Sequence, residues 1–345
     1  MKGLSLFSGM GGDTLGMKQA GVDVVIYSEW KKTFQKTHEE NFPDSKLIGD
    51  DIRTIKDETF QKYKGDIDII FAGFPCQGFS HAGKKDPEDE RNNLFRHFIR
   101  SVKCIQPKYA IGENVVGLLT KKTQDNVLYI DAIRYAFREI GYNMIYKVYE
   151  ATDVGVPQKR KRLIMVAMKD DIPDELPAFS QKTTPNLSSF IKFDPNGCVE
   201  VPEFDFTKLP SECVLIGENI NEDVNAHPYL ISKLGGGEYK DKKWDCLYSF
   251  GKRDSPIHIE IVDIRSPAKT VICTYGHQPR MVVPQKVGNK YYVRSMTPDE
   301  LKIIQGFPSD YFLQGNQSDK VTQVGNAVPP ALVKEIVFWL KRNHG

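Results

Sequence analysis

The chain has 345 residues, with 47 basic against 45 acidic side chains and a formal net charge of +2. That length holds one large domain or a large and a small one, and the near-balanced charge excludes a polycation, so any basic surface must come from local clustering. No apolar run reaches the roughly 18 residues a membrane helix needs, and the apolar patch in MKGLSLFSG is too short for a signal peptide. Six cysteines (76, 104, 198, 213, 246 and 273) form no Cys-x-x-Cys pair. That argues against zinc and a disulfide framework and fits a reducing cytosol. The expectation is a soluble cytoplasmic protein with no membrane partner and no metal.

Apolar runs fall in chain order at Leu4–Phe7, Val22–Tyr27, Lys46–Ile48, Ile67–Ala72, Tyr109–Ile111, Met144–Tyr149 and Leu163–Met168. Helical spacing occupies Thr14–Ala20, Lys31–Asn41, Leu94–Ile105 and Asn126–Ile140. Strands alternating with helices of this length predict βαβ units and a mostly parallel sheet. After Lys169 the pattern changes. Prolines cluster at 173, 177, 185, 195, 202 and 210, and short β-like runs appear at Val262, Thr270–Cys273, Met281–Val283 and Tyr291–Val293. A smaller, irregular second domain beginning near residue 185 is expected, before an amphipathic helix over Ala331–Lys341.

The strand ends carry ligand-suitable residues. The first runs into Phe7-Ser8-Gly9-Met10-Gly11-Gly12, where glycines admit a ligand to the backbone and the following helix receives an anion. The second ends at Glu29, placed to accept ribose hydroxyls, and Trp30, a stacking face for adenine. The third leads to Asp50-Asp51-Ile52, a carboxylate for an exocyclic amine. An adenosine-containing cofactor follows. The turn SGMGG is not the G-x-G-x-x-G that cradles a pyrophosphate, and no G-x-x-x-x-G-K-[ST] is present. S-adenosylmethionine, a nucleoside with one carboxylate to hold, suits the turn better than a dinucleotide, which leaves a dehydrogenase as the weaker option.

The fourth strand stops at GFPCQGFS. Cys76 sits behind Pro75 at the edge where ligands bind, followed by small residues that leave access to it. A thiolate there is a strong nucleophile when nearby cations lower its pKa. The run Gln158-Lys159-Arg160-Lys161-Arg162 abuts the seventh strand, and alternation turns Arg160 and Arg162 to one side. The fifth strand ends at Gly112-Glu113-Asn114-Val115, adding a carboxyl.

FSGMGG, GFPCQGFS, ENV, QKRKR and QVGNAVPP together resemble the ordered motifs of the DNA (cytosine-5)-methyltransferases, from Gly3 to Trp339. The resemblance breaks across the variable segment between QKRKR and SPAKTV. It implies a doubly wound, seven-stranded Rossmann-like methyltransferase sheet with a smaller β-rich target-recognition domain. The catalytic domain would span 1–189, completed by 310–345; target recognition would span 190–296, and a hinge and return segment 297–324. It implies Cys76 as the nucleophile on carbon 6 of cytosine, Glu113 on N3, Arg162 on the carbonyl oxygen at carbon 2, and Arg160 in support. Around S-adenosylmethionine, whose product is S-adenosylhomocysteine, it sets Phe7, Gly9, Gly11, Glu29, Trp30, Asp51, Ile52, Pro75, Leu94 and Asn326. In DERNNLF, Asn92 stands where the family usually has glycine after the arginine.

A stacked base cannot present carbon 6 to a thiol, so the cytosine must flip out of double-stranded DNA. The polar segment Ser80–Asn92 would close over it. Ser80, Lys84, Lys85, Lys240, Lys242, Lys243, Lys252 and Arg253 are candidate DNA contacts. A monomer of the restriction-modification type is expected, with a cognate restriction endonuclease as a possible partner. Two other readings share the scaffold. A transfer-RNA methyltransferase would carry a Cys-Phe-Thr element, whereas Cys198, Cys213 and Cys246 are followed by Val, Val and Leu. A catalytically idle DNA-binding homologue would be expected to lose Cys76, Glu113 or the glycine turn.

Overall fold

The computed structural model describes residues 1–75, 93–123, 125–169, 172–179, 183–191, 199–200, 260–262, 266–276, 281–287 and 290–344. The chain opens with β1 (Lys2–Leu6), α1 (Gly12–Gln19), β2 (Asp23–Ser28), α2 (Lys32–Asn41), β3 (Lys46–Gly49), α3 (Asp57–Gln61) and β4 (Ile69–Ala72). It continues through α4 (Leu94–Ile105), β5 (Tyr109–Asn114), α5 (Tyr129–Glu139), β6 (Asn143–Glu150), β7 (Gln158–Lys159) and β8 (Lys161–Met168). Short strands follow: β9 (Val199–Glu200), β10 (Glu260–Ile261), β11 (Ala268–Lys269), β12 (Met281–Val287) and β13 (Lys290–Ser295). Three helices close the chain, α6 (Pro298–Ile304), α7 (Gln317–Asn326) and α8 (Pro330–His344).

The seven apolar runs become one sheet in the order β3-β2-β1-β4-β5-β8-β6. The β1–β2, β2–β3, β1–β4 and β4–β5 pairs are parallel, and β8 runs antiparallel to both its neighbours. Ile69, Ile70, Phe71 and Ala72 of β4 are all buried, as a strand covered on both faces requires. On one face Leu4, Leu6, Ile70 and Ala72 pack with α4, whose Phe95, Phe98, Ile99, Val102 and Ile105 recur at helical spacing. On the other, Ile69, Phe71 and Ile111 pack with Leu332, Val333, Ile336, Val337 and Leu340 of α8. The last helix of the chain therefore covers the first strands. β10-β12-β13-β9 form a second, four-stranded sheet, and β7 and β11 make a separate two-stranded parallel ladder.

Helices differ from expectation in three places, the first being α3, a five-residue helix too short to show a helical period. α5 starts at Tyr129 rather than Asn126, because Asn126 has φ 62°, a left-handed conformation that a helix cannot contain. The fading periodicity after Lys169 hid α6 and α7. Each begins with a reciprocal cap, Thr297 with Glu300 and Asn316 with Asp319, and T-P-D-E, with Pro298 in the first turn, is a legible start signal.

Candidate active site

The sheet order reverses between β1 and β4: β1 leads outward to β2 and β3, whereas β4 leads the other way to β5. Such a switch point opens a crevice at the carboxyl ends of the strands. Phe7 leaves β1 with φ 55°, a costly backbone state for a bulky residue. Gly9 follows at φ 57° and has open space where a Cβ would stand, so a ligand can reach the main chain. Gly11 and Gly12 serve a different end. A Cβ on Gly11 would lie 2.5 Å from Phe42, and one on Gly12 would lie 2.3 Å from the Val328 carbonyl. Their missing side chains let α2 and the GNAVPP segment close on the turn.

Glu29 clamps this turn. Its carboxylate accepts the Gly9 N–H at 2.8 Å and the Lys31 N–H at 2.8 Å. Burial pushes the carboxyl up from its ordinary value, and these two bonds pull it back. Trp30 is 66% exposed and presents its ring to solvent. Asp51 is engaged by Arg53, with Nε at 3.0 Å from both carboxylate oxygens, and the guanidinium lies 6.0 Å from the Trp30 ring centroid. The Ile52 side chain is buried in the core, so it could meet a ligand through its main chain alone. Open space at Gly9, an acid beside it and an exposed indole fit an adenosine-bearing cofactor. Leu94 starts α4 and packs on the core below. The Asn326 side chain is exposed at the end of α7.

The second half of the site stands at the ends of β4 and β5. Asn114 donates from Nδ2 to the Phe74 carbonyl at 3.1 Å, which pins the chain as it runs into Pro75. Glu113 Oε1 lies 2.7 Å from Arg162 Nε, both side chains 13% exposed. Because β8 is antiparallel to β5, with Glu113 opposite Ile164, Arg162 enters the sheet at the edge where Glu113 leaves it. Burial pushes the Arg162 guanidinium down and the Glu113 charge holds it up.

Arg160, grouped by resemblance with the catalytic residues, has another part here. It is 1% exposed. Its terminal nitrogens donate to the carbonyls of Val271 at 2.9 Å, Gly325 at 2.9 Å and Ala327 at 3.1 Å. A guanidinium committed to three carbonyls positions the segments around the site and does not face a substrate. Gln158 extends this buried network: its Oε1 accepts the Val271 N–H at 2.9 Å and its Nε2 donates to Gln305 Oε1. Gln305 in turn donates to the Ala327 carbonyl. The SPAKTV edge of the variable segment, the end of α6 and the GNAVPP turn are thereby tied to QKRKR.

Asp13 is a further residue that sequence reading did not single out. Buried in the first turn of α1, it accepts the Ser5 hydroxyl, and burial pushes its carboxyl up to about 7. The nearby Glu113 charge adds to that shift. An aspartate following a glycine turn reads as an ordinary N-terminal acid, and nothing in the sequence places Ser5 or Glu113 beside it. Gln305 and Asn114 were equally silent: Asn114 sits within the ENV motif and Gln305 within none, and the partners of both are remote in sequence. Cys76, Ser80, Lys84, Lys85, Lys240, Lys242, Lys243, Lys252 and Arg253 lie outside the described residues. Among the described residues no group of three or more His, Cys, Asp or Glu side chains could hold a metal.

Fold and site together define an α/β protein with a nucleoside-suited crevice at the sheet's switch point and a carboxylate–guanidinium pair beside it. The sequence profile of the C-5 cytosine-specific DNA methylases matches residues 1–342. The type II methyltransferase M.FnuDI of Fusobacterium nucleatum is 33% identical over 364 residues, spanning 99% of this chain and 94% of that protein. M1.HphI of Haemophilus parahaemolyticus, also a type II methyltransferase, is 29% identical over 96% of this chain and 84% of its own. Among solved structures, a putative DNA modification methyltransferase encoded within an Escherichia coli prophage superposes with TM-score 0.66 at 23% identity, covering 99% of both chains. The Schizosaccharomyces pombe Dnmt2 methyltransferase gives TM-score 0.67 at 16% identity over 100% of both. At these identities the two structures show the fold alone. The chain belongs to the C-5 cytosine-specific DNA methylase family. Its activity is that of a DNA (cytosine-5)-methyltransferase, as the ordered motifs implied.

Proposed function

We propose that this enzyme methylates carbon 5 of a flipped-out cytosine within a specific duplex sequence, through a covalent bond between Cys76 and carbon 6. Carbon 5 of cytosine is a poor nucleophile; addition of a thiolate at carbon 6 makes it enamine-like. S-adenosylmethionine, when bound, supplies the electrophilic methyl group that carbon 5 takes up. Glu113 hydrogen-bonds ring N3 and stabilises the charge that addition places there. Arg162 holds Glu113 in orientation and reaches the carbonyl oxygen at carbon 2. The proton on carbon 5 then leaves to a base, and Cys76 departs. Phe7, Gly9, Glu29, Trp30, Asp51, Ile52, Pro75, Leu94 and Asn326 hold the cofactor, with Gly11 shaping the turn. The variable segment, 190–296, reads the target. A restriction-modification role follows the naming of the relatives.

The observation that carries this reading is the Glu113–Arg162 contact of 2.7 Å at the edge toward which Pro75 directs the chain. The test is adduct formation. Fluorine on carbon 5 cannot leave as a cation, so duplex DNA with 5-fluorocytosine at the target should remain bonded to the enzyme when S-adenosylmethionine is present. The adduct appears as a shifted band on a denaturing gel. Cys76→Ala should form none while retaining duplex binding, since phosphate contacts carry much of the affinity. A Cys76→Ala protein that still methylates would sink the mechanism. Bisulfite sequencing of DNA from an expressing host identifies the target, and methylated transfer RNA with unmethylated DNA would favour the RNA reading.

A further inference from the structure

We infer that Arg53 is a positioning residue for the adenine of the cofactor, a role that rests on the cofactor reading above. Its guanidinium fixes the Asp51 carboxylate so that one oxygen receives the exocyclic amine. Asp51, Ile52 and Arg53 follow one another just past β3, and Ile52 is the anchor between the two charges. Its side chain is 4% exposed, in the core, whereas Asp51 is half-buried and Arg53 exposed. The backbone here is held from two sides. Arg100 of α4 donates to the carbonyls of Ile52 and Ile55, both at 2.7 Å, and Thr54 Oγ1 donates to the Asp51 carbonyl at 2.9 Å. What the main chain leaves undetermined is the rotation of the Asp51 side chain.

Arg53 removes that freedom. Asp51 Oδ1 accepts the Arg53 main-chain N–H and its Nε, each at 3.0 Å. Oδ2 accepts Nε at 3.0 Å and Nη2 at 2.6 Å. A planar fork on a carboxylate sets its plane as well as its place, which a point charge does not. The Arg53 hydrogen bond is also the largest cause holding the Asp51 carboxyl below its ordinary value, so the group stays a pure acceptor. Three donors on a carboxylate with about four acceptor sites leave room for one more N–H. The neighbouring Asp50 turns instead to α2, where Lys32 Nζ lies 2.6 Å from Oδ2 and Gln35 Nε2 donates to Oδ1 at 3.1 Å.

The same guanidinium lies over the Trp30 ring, 6.0 Å from its centroid, within reach of a cation–π contact. Arg53 therefore joins the two groups that meet the base, the indole for its face and the carboxylate for its edge. Trp30 stays largely exposed, so the contact leaves ring surface for stacking. A carboxylate aimed at an amine selects adenine over a purine that lacks one, because the acceptor is then left without its donor.

Calorimetry on the full-length enzyme compares S-adenosylhomocysteine with its 6-deamino analogue, which carries hydrogen in place of the exocyclic amine. Wild type should prefer the amine about tenfold, the share of one charge-assisted hydrogen bond. Asp51→Ala should lose the preference. Arg53→Gln should lose most of it by weakening the amino ligand alone, and should add nothing further in the Asp51→Ala background. Arg53→Lys restores the charge without the fork and should recover little. With S-adenosylmethionine as substrate, Arg53→Gln should raise KM and leave kcat unchanged, as lost uniform binding does. An Arg53→Gln enzyme that keeps the preference, loses affinity for both ligands equally or binds more tightly overturns the positioning role, as does full recovery by Arg53→Lys. Those outcomes leave the cofactor reading standing. A wild type without the preference, or an Asp51→Ala enzyme that retains it, overturns the Asp51 assignment and the role of Arg53 with it.

Discussion

At the residue scale the charged groups of the site divide by what holds them. Glu113 and Arg162 compensate one another at 2.7 Å with little exposure, whereas the terminal nitrogens of Arg160 meet carbonyls and its buried Nε has no hydrogen-bond partner. Glu113→Gln keeps an acceptor for Arg162 Nε and should fold with little change while adduct formation slows strongly. Glu113→Leu removes the counter-charge of the buried guanidinium and leaves it the Lys161 carbonyl. Its thermal unfolding should show a loss approaching the ~3–5 kcal/mol that breaking a buried pair costs, and equal melting of the two variants would dismiss the pair's structural part. Asp13 offers a pH test. Its folded-state value of about 7 lies above the ordinary 3.8, so the folded state holds the proton more tightly. The stability this contributes is complete below pH ~4, declines as pH rises and is lost above about 7. Asp13→Asn, neutral throughout, should flatten that decline, gaining a few kcal/mol on wild type at pH 8 relative to pH 5. Urea unfolding at the two pH values measures it, and parallel curves would show that Asp13 does not titrate there. Ser5, Glu113 and Tyr311 are the polar and charged groups that act on or feel Asp13, and burial is the largest cause of its shift.

At the element scale, close approach explains residues that motif reading assigns to ligands. A Cβ on Gly325 would lie 2.3 Å from the Cys273 amide nitrogen and 2.5 Å from its Cα, because α7 crosses the irregular 271–273 segment with backbone against backbone. One on Gly16 would lie 2.4 Å from the Pro330 carbonyl, where α1 packs on α8. Gly325→Ala should therefore destabilise by about 1–3 kcal/mol, and should also weaken the Arg160 bonds that meet its carbonyl. A melting temperature equal to wild type would contradict the packing. The elements that were easy to read, such as α4, carry their own apolar stripe. The apolar residues of α6 and α7 pack in a core gathered from remote segments, Met10, Val271, Tyr275 and Met281, so periodicity alone does not reveal them.

At the scale of the whole molecule, the chain's end completes its beginning. Tyr311 donates its hydroxyl to the Met10 carbonyl, Gln314 N–H bonds Thr37 Oγ1 at 3.0 Å, and Val328 packs against Gly12. Arg160 grips the carbonyls on both sides of Asn326, and that side chain is exposed. Asn326→Ala should weaken S-adenosylmethionine binding about tenfold, a difference near 1.4 kcal/mol for one lost hydrogen bond. Calorimetry that finds wild-type affinity would remove Asn326 from the site.

What the sequence determined by itself is local or periodic. The seven strands, α1, α2, α4 and α8 follow from apolar spacing, and the family follows from short motifs whose order survives any folding. Glu29 and Trp30 were legible because a strand's end states where its next residues stand. The tertiary structure alone decided which groups meet: Asp13 with Ser5, Asn114 with the Phe74 carbonyl, and Gln158 with Gln305. It also separated Arg160 from Arg162, one buried among carbonyls and the other paired with Glu113, though they sit two residues apart in one motif. The physical reason is common to all of these. A side chain's partner across a fold is set by sheet order, register and the return of α6 to α8 onto the first strands, and no spacing along the chain encodes that.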